Sequence, residues 1–283
     1  MNALIDLHIH STASDGIHKP DELVKMAHDA GLSAIAIADH DSVDSVDEAL
    51  VAAERYGITV IPAVELSVEY GKYHDVHLLG YWIDHQDIDF RAKLSRFRER
   101  RESRGLRVIE KINDKLRDEG RLPIAPGDVM ALAEGALGRP HIARVLMKIG
   151  YADSMQDAFN NYLVPCNLPK EYMPFDDAVQ EIKRIGGVAV LAHPQSISRG
   201  KEELLHILSD MASRGLDGVE ALNTMGLEGE EQFLCRIAKS LELAVSGGSD
   251  FHGGEEGLKM GRGRGNLAVT FDLLAPLEQK RKL

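Results

Sequence analysis

Short apolar runs rich in β-branched residues alternate with amphipathic stretches along most of this chain. Seven runs are predicted strands: 4–8, 33–38, 58–64, 76–82, 188–192, 218–222 and 244–246. Apolar residues recur at helical spacing between most of them, and the first two predicted helices end at Gly31 and Gly57. This alternation predicts an α/β fold in which helices cover parallel strands. About seven strands predict a closed barrel with one unit fewer than the usual eight.

One long segment, residues 84–172, interrupts this alternation. Apolar residues at helical spacing from Leu106 to Leu116 predict a helix within it that ends by Gly120. A helical insertion between barrel strands usually covers the mouth of the active site. We therefore predict a helical cap at 84–172 on a barrel formed by residues 1–83 and 173–283.

Composition narrows the class of protein. The chain has 33 Lys and Arg against 45 Asp and Glu, a formal charge of -12, which argues against non-specific binding to nucleic acid. Cys166 and Cys235 lack paired spacing, so neither a disulfide framework nor a zinc finger is expected. The sequence shows no signal-peptide pattern and no apolar run of roughly 18 residues. We expect a cytoplasmic protein without membrane association or an obligate protein partner.

Histidines and acids follow the first predicted strand. His8 and His10 are two residues apart, so on a strand their rings point the same way and can converge on one ion. Small residues follow them, and Gly16 allows a sharp turn that can bring Asp15 back toward the same point. These three side chains are candidate metal ligands.

The second and third strands also end in candidate ligands. His40 lies between Asp39 and Asp41, and a neighbouring carboxylate can fix the tautomer of a ligating imidazole. Glu65 ends the third strand, where one carboxylate can bridge two metals through its two oxygens. The pattern at both strand ends is typical of a multinuclear site.

The remaining candidates lie farther along the chain. His77 is preferred over His74 because apolar residues embed it in the fourth strand, and His193, Asp250 and His252 follow later strands. A lone histidine at a strand end is usually structural, but here six of 12 histidines and three acids stand at the ends of separate elements. Barrel enzymes assemble their sites from the carboxyl ends of different strands. The set therefore predicts a metal-dependent hydrolase.

These segments resemble the motifs of the PHP (polymerase and histidinol phosphatase) superfamily. All nine ligand positions expected from that family are filled, and the length and insertion look most like its TrpH/YciV group. The resemblance implies a distorted (β/α)7 barrel with a helical cap, and activity on 3′,5′-nucleoside bisphosphates or short RNA 5′ ends. The matching segments are Asp6-Leu7-His8-Ile9-His10-Ser11, Ala38-Asp39-His40-Asp41, Glu65, His77, Ala192-His193-Pro194 and Gly248-Ser249-Asp250-Phe251-His252.

The same resemblance implies how the ligands are shared among two or three divalent ions. Mixed histidine and carboxylate ligands suit Mn²⁺, Fe²⁺ or Zn²⁺, and we expect Mn²⁺. If the third position is only partly filled, His40 and His252 contact the substrate phosphate directly. The implied sets are His8, His10, Glu65 and Asp250 for one ion, Glu65, His77 and His193 for a second, and Asp15, His40 and His252 for a third.

The expected reaction is hydrolysis of a phosphomonoester by a water that bridges two metals, and no separate general acid is assigned. The first hypothesis is removal of the 3′-phosphate from a nucleoside 3′,5′-bisphosphate, which gives a nucleoside 5′-monophosphate. The alternatives are a 5′-3′ exoribonuclease acting on short RNA and a histidinol-phosphate-type phosphatase. The expected binding partner is thus a small nucleotide substrate or a short RNA.

Substrate selection is expected to come from the cap. Six arginines crowd residues 96–107, and we predict that Arg100 and Arg101 bind the phosphate that does not react, since arginine forks match phosphate oxygens. Arg139 and His141 stand at a predicted helix start, where backbone N–H groups also favour anions. Glu134 is a candidate contact to a ribose or base.

Overall fold

The structure, a computed structural model, describes residues 3–132, 137–227, 229–265 and 267–281, without the side chain of residue 75. Seven strands of at least four residues occur in this part of the chain, together with two strands of two residues each, β3 and β6. The strands are β1 (Leu4–Ile9), β2 (Leu32–Ile37), β3 (Thr59–Val60), β4 (Ala63–Tyr70), β5 (Tyr73–Tyr81), β6 (Met173–Pro174), β7 (Val188–Leu191), β8 (Gly218–Asn223) and β9 (Ala244–Gly248).

The strands form two hydrogen-bonded sheets in an α/β fold. β1, β2 and β3 form a parallel sheet, and the second sheet has the order β6-β4-β5-β7-β8-β9. Two isolated bridges, Ile9 with Phe251 and His40 with Glu65, link the sheets. Neither sheet closes on itself within the described residues, so the predicted α/β class is confirmed and the predicted (β/α)7 barrel is not.

The prediction of parallel strands is wrong at β5, which runs antiparallel to both β4 and β7. β4 ends at Tyr70 and β5 begins at Tyr73, with Gly71 between them in the left-handed region at φ 56°. A tight turn of this kind reverses the chain, whereas a parallel neighbour needs a crossover of about a dozen residues. Because β5 is reversed, Leu78 pairs with Leu191 at the carboxyl end of β7, and the Ala192 N–H donates to the His77 carbonyl over 3.0 Å.

The helices cover the sheets and form the inserted segment. α3 is the longest and begins soon after β5, and none of the described helices is long and apolar enough to cross a membrane. The helices are α1 (Pro20–Asp29), α2 (Val46–Tyr56), α3 (Ile88–Asp118), α4 (Pro126–Met130), α5 (Arg139–Lys148), α6 (Met155–Ala158), α7 (Phe175–Arg184), α8 (Lys201–Ser213), α9 (Glu230–Ser240) and α10 (Leu274–Glu278).

The inserted helices have a hydrophobic core of their own. It extends from Val108 in the second half of α3 to Cys166 and includes buried residues of α4, α5 and α6. Phe90 and Leu94, in the first half of α3, instead pack into the core beneath β4 and β5. α3 thus spans both cores and holds the insertion against the sheets.

β1 and β9 approach each other closely at the edge where the candidate ligands lie. A Cβ atom at Gly248 would lie 2.4 Å from the Cβ of His8 and 2.5 Å from its backbone nitrogen. The Asp250 N–H then donates to the His8 carbonyl over 2.8 Å. The glycine therefore permits the segment after β9 to lie directly against the end of β1.

Candidate metal centre

Glu65 lies at the middle of the candidate ligands, fully buried in β4. The expectation that it ends a strand is wrong, because β4 begins at Ala63 and continues past it to Tyr70. Its two oxygens face different histidines, as expected of a carboxylate that bridges two ions. Its Oε1 lies 3.3 Å from His8 Nε2, 3.0 Å from His77 Nδ1 and 3.3 Å from His193 Nε2, and its Oε2 lies 3.4 Å from His10 Nε2 and 2.8 Å from His40 Nδ1.

His8 and His10, at the end of β1, turn their rings toward the same point. Their Nε2 atoms are 3.1 Å apart, and Asp250 Oδ1 lies 3.5 Å from His8 Nε2 and 3.1 Å from His10 Nε2. On the other side of the ring, Glu220 Oε1 lies 3.0 Å from His8 Nδ1. With Glu220 accepting the Nδ1–H, a neutral His8 has its lone pair on Nε2, which faces the cluster.

Asp15, on the loop after β1, belongs to a second group of candidate ligands. Its Oδ1 lies 3.2 Å from His252 Nε2 and 3.8 Å from His10 Nδ1, and its Oδ2 lies 3.9 Å from His40 Nε2. The loop turns sharply at Gly16, where a Cβ atom would lie 2.3 Å from the His10 carbonyl oxygen. The turn thus brings Asp15 back to the end of its own strand.

The two aspartates that flank His40 hold the surrounding backbone. Asp39 accepts hydrogen bonds from the backbone N–H and hydroxyl of Ser11 at 2.8 and 2.7 Å and from the hydroxyl of Ser14 at 2.6 Å. Asp41 accepts from the Ser67 N–H at 2.9 Å. The tautomer-fixing contact expected for His40 is thus seen at His8, where Glu220 provides it.

Three residues of the site have positive φ without being glycine. They are Asp41 at 51°, His193 at 23° and Asp250 at 55°. Residues other than glycine rarely adopt a positive φ, and the resulting backbone strain is retained mainly where surrounding contacts enforce it. Two of the three are candidate ligands, so the backbone is bent where their side chains must reach the cluster.

Burial and mutual charge set the protonation of the cluster. Burial by itself raises the pKa of Glu65, but the surrounding histidines hold that pKa well below its usual range. Burial lowers the pKa of His252, yet Asp15 and then Asp250 raise it to about 10. Burial and the charge of neighbouring histidines lower the pKa of His10 to about 4. Protons on some histidines thus balance the carboxylates, and a cation that replaced them would bind with proton release.

The cluster fits divalent cations. Both oxygens of Glu65, Oδ1 of Asp15 and Nδ1 of His40 are buried and, despite the short distances, make no hydrogen bond of good geometry among the described residues. Such burial is costly unless an ion satisfies these atoms. Ligand atoms 3 to 3.5 Å apart can each reach an ion at about 2.0–2.2 Å. Three groups have their ligand atoms within 4.8 Å of one another: His10, Asp15, His40 and His252; His8, His10 and Glu65; and His40, Glu65 and His77.

The residues predicted to contact the substrate from the inserted segment do not lie together in the structure. Arg101 lies beside the cluster, with Nη1 3.5 Å from Asp41 Oδ2, whereas Arg100 pairs with the exposed Glu171. The Arg139 guanidinium lies over the ring of Phe159, within the inserted helices. Glu134 lies outside the described residues.

His141 is almost fully buried, with its Nδ1 accepting a hydrogen bond from the Gly138 N–H at 3.0 Å. Burial lowers its pKa to about 4 despite the nearby Asp15. The imidazole is therefore neutral at physiological pH and does not attract a phosphate by charge.

Sequence reasoning missed two residues at the site. Glu220 is fully buried and also accepts the His193 N–H at 2.7 Å through Oε2. Arg144 donates through Nη2 to the Asp15 carbonyl at 2.8 Å. Glu220 could have been found in the sequence as an acid inside an apolar strand. Arg144 could have been found because it follows His141 by three residues and so lies on the same helix face.

We expect Glu220→Gln to lower the affinity for divalent metal by about 10 to 100-fold, because the amide cannot accept from both His8 and the His193 backbone. Calorimetric titration of the metal-free protein with Mn²⁺ measures this change. Glu231→Gln, an exposed acid on α9, is the matched control. Unchanged Mn²⁺ affinity in Glu220→Gln would show that the carboxylate does not orient His8.

Comparison with known proteins identifies the family. The PHP domain matches residues 6–163. A 5′-3′ exoribonuclease of Haemophilus influenzae is 34% identical over 255 residues, 89% of this chain and 91% of that protein. A 3′,5′-nucleoside bisphosphate phosphatase of Chromobacterium violaceum is 32% identical over 268 residues, 90% of this chain and 89% of that protein.

Two solved structures share the whole fold. A protein from Bifidobacterium adolescentis, assigned as a metal-dependent phosphoesterase, aligns with a TM-score of 0.85 and 28% identity, over 99% of this chain and 96% of that one. An amidohydrolase from Chromobacterium violaceum, solved with sulfate and no metal, aligns with a TM-score of 0.83 and 29% identity, over 97% of both chains.

The chain belongs to the PHP family, and the resemblance drawn from its motifs is confirmed. The family and the buried histidine and carboxylate cluster together define a metal-dependent phosphoesterase.

Proposed function

We propose that this enzyme hydrolyses the 3′-phosphate of nucleoside 3′,5′-bisphosphates and releases a nucleoside 5′-monophosphate and phosphate. The nine clustered residues would hold two or three divalent ions, with Mn²⁺ as the expected metal. When bound, such ions supply hydroxide at neutral pH and neutralise charge that develops on the phosphate. His40 and His252 would face the reacting phosphate.

One observation carries the choice of a substrate with two phosphates. A cationic cavity of about 310 Å³, called here the cap cavity, adjoins the cluster through Asp41, which follows His40. Such a volume is within the range of small-ligand sites. Its cationic side chains are Arg100, Arg101, Arg104, Arg107 and Lys170.

The cap cavity suits a phosphate more than a neutral group. Its five cations face three acids, Asp41, Glu99 and Glu171, so its lining is net positive in a chain whose overall charge is -12. Lys170 Nζ donates to the Ser67 hydroxyl at 2.8 Å, which places an ammonium group against β4. Arginine forks and an ammonium group at one wall are typical phosphate ligands. The 5′-phosphate would bind here while the 3′-phosphate lies at the cluster.

A 5′-3′ exoribonuclease is the second candidate. The Haemophilus influenzae relative of that name is 34% identical to this chain, slightly more than the bisphosphate phosphatase. The cap cavity would hold the 5′-phosphate of an RNA in the same way, and the cleaved bond would be the first phosphodiester. The two functions therefore differ in whether the reacting phosphate is terminal or carries a further nucleotide.

A substrate comparison tests the proposal. Mn²⁺-supplemented protein is incubated with adenosine 3′,5′-bisphosphate, a 5′-phosphorylated RNA oligomer and histidinol phosphate, and kcat/KM is measured for each. We expect the highest value on the bisphosphate, and loss of all activity in EDTA that Mn²⁺ restores. A far higher value on histidinol phosphate would overturn the proposal, and a far higher value on the RNA would favour the exoribonuclease.

A further inference from the structure

We propose that the enzyme also removes the 3′-phosphate from 3′-phosphorylated dinucleotides, in which the 5′-phosphate of the reacting nucleotide carries a further nucleoside. This rests on the proposed function, because it uses the same cluster and the same cap cavity. It adds a binding site for the upstream nucleoside in a second cavity, called here the outer cavity.

The outer cavity lies between α3 and α7. Its volume is about 620 Å³, twice that of the cap cavity and large enough for a small organic ligand. Lys93, Arg96 and Phe97 of α3 line one side, and Gln180 and Arg184 of α7 line the other. Among the described residues of its lining, none belongs to the ligand cluster. It is therefore a place for a part of the substrate that does not react.

The two cavities and the cluster follow one another in space. Asp41, next to His40, lines the cap cavity, while Phe97 and Arg100 line both cavities. A substrate with its 3′-phosphate at the cluster and its 5′-phosphate in the cap cavity thus has its 5′ end directed at the outer cavity. A free 5′-phosphate would leave the outer cavity unused, whereas an upstream nucleoside would enter it.

The ion pair that separates the two cavities is weak. It joins Arg100 Nη1 to Glu171 Oε2 at 2.5 Å, and the two side chains are 60% and 65% exposed. Exposed ion pairs of this kind contribute little to stability, so a substrate can displace the carboxylate from the guanidinium at small cost. Arg100 would then bind the bridging phosphodiester from between the two cavities.

With Arg100 assigned to the phosphodiester, the remaining charges of the outer cavity are three cations, Lys93, Arg96 and Arg184, against two acids, Asp177 and Glu181, which suits a nucleoside better than another phosphate. Lys93 and Arg184 both pair with Glu181, which neutralises much of the α7 side. Arg96 donates to the carbonyl of Ala92 in its own helix, and in the described part of the chain no acid lies within pairing distance of it. Its guanidinium can donate to base oxygens and nitrogens, and the half-buried Phe97 offers a ring on which a base can stack.

The reaction at the cluster is the same hydrolysis. Water adds to the phosphorus of the terminal 3′-phosphate, the bond between phosphorus and the 3′-oxygen breaks, and the oxygen takes up a proton. The products are inorganic phosphate and a dinucleotide with a free 3′-hydroxyl. The internal phosphodiester in the cap cavity stays intact.

The test compares adenosine 3′,5′-bisphosphate with the deoxyadenosine dinucleotide that carries a 3′-phosphate and no 5′-phosphate. Phosphate release and the nucleotide products are measured with Mn²⁺ and full-length protein. We expect phosphate release from the dinucleotide with kcat/KM within about tenfold of the bisphosphate. We expect Arg96→Ala to lower kcat/KM at least about tenfold on the dinucleotide and less than threefold on the bisphosphate.

Arg98→Ala is the matched control, because Arg98 lies on the same helix and pairs with Asp44 away from the outer cavity. It should affect neither substrate. Bisphosphate hydrolysis without dinucleotide hydrolysis, cleavage of the internal phosphodiester, or an equal effect of Arg96→Ala on both substrates would overturn the inference and leave the proposed function standing. Failure to hydrolyse the bisphosphate would overturn the proposed function itself.

Discussion

Glu65→Gln is expected to lower kcat/KM on phosphomonoesters at least about 10³-fold and to abolish the rise in melting temperature that Mn²⁺ produces in the unaltered protein. The physical reason is the position of the carboxylate, whose two oxygens face five imidazoles at 2.8 to 3.4 Å. Glutamine keeps the shape but removes the charge and directs an amide N–H₂ at ring nitrogens. Two ions would then lose a shared ligand at once.

Metal content by mass spectrometry and melting curves with and without Mn²⁺ separate lost binding from lost folding. Glu69→Gln provides the control, because Glu69 lies on the same strand with a side chain that is 44% exposed and pairs with His74. It should keep both the metal and the activity. A Glu65→Gln protein that retained its metals and reacted within tenfold of the unaltered enzyme would contradict the bridging role.

The double variant Arg100→Ala and Arg101→Ala is expected to lower kcat/KM about 10²-fold on adenosine 3′,5′-bisphosphate and less than threefold on adenosine 3′-monophosphate. Charge-assisted hydrogen bonds to the 5′-phosphate are worth about 1.5–3 kcal/mol each, and solvent screening reduces the share of the exposed Arg100. Arg101 is the larger contributor because its side chain is only 14% exposed and it lies beside the cluster. Steady-state kinetics on both substrates measures the difference.

A double variant on the same helix, Arg91→Ala and Arg98→Ala, controls for the loss of two positive charges. Both of these arginines pair with Asp44. This control should leave the preference for the bisphosphate intact. Equal losses on the two substrates in the Arg100 and Arg101 variant would indicate a structural defect at Asp41. The proposed binding of the 5′-phosphate by these two arginines would then be abandoned.

Local pattern predicted much of the fold. Apolar runs placed most of the longer strands within a few residues, and helical spacing from Leu106 to Leu116 predicted the second half of α3 but not its first half. The local pattern did not predict the direction of β5, because the direction of a strand depends on the turn before it. The turn at Gly71 leaves two residues between Tyr70 and Tyr73, too few for the helix that the alternation implied.

The arginine-rich segment shows a second limit. Spacing on α3 indicated that cations crowd residues 96–107, yet it did not show which of them approach the site. In the structure Arg101 pairs with Asp41 and Arg98 pairs with Asp44. Arg104 donates to the Leu168 carbonyl and to the side-chain oxygen of Asn167. These partners lie tens of residues away, and only the packing of α3 between two cores selects them.

The sequence by itself indicated which side chains can hold metal, because ligand type is a local property, although it misplaced Glu65 at the end of a strand. Only the tertiary structure decided how they are oriented and what surrounds them. His8 is oriented by Glu220, 212 residues later, and the Asp15 loop is contacted by Arg144, 129 residues later. Contacts between such distant residues depend on how the sheets and the inserted helices pack together, which no local periodicity encodes.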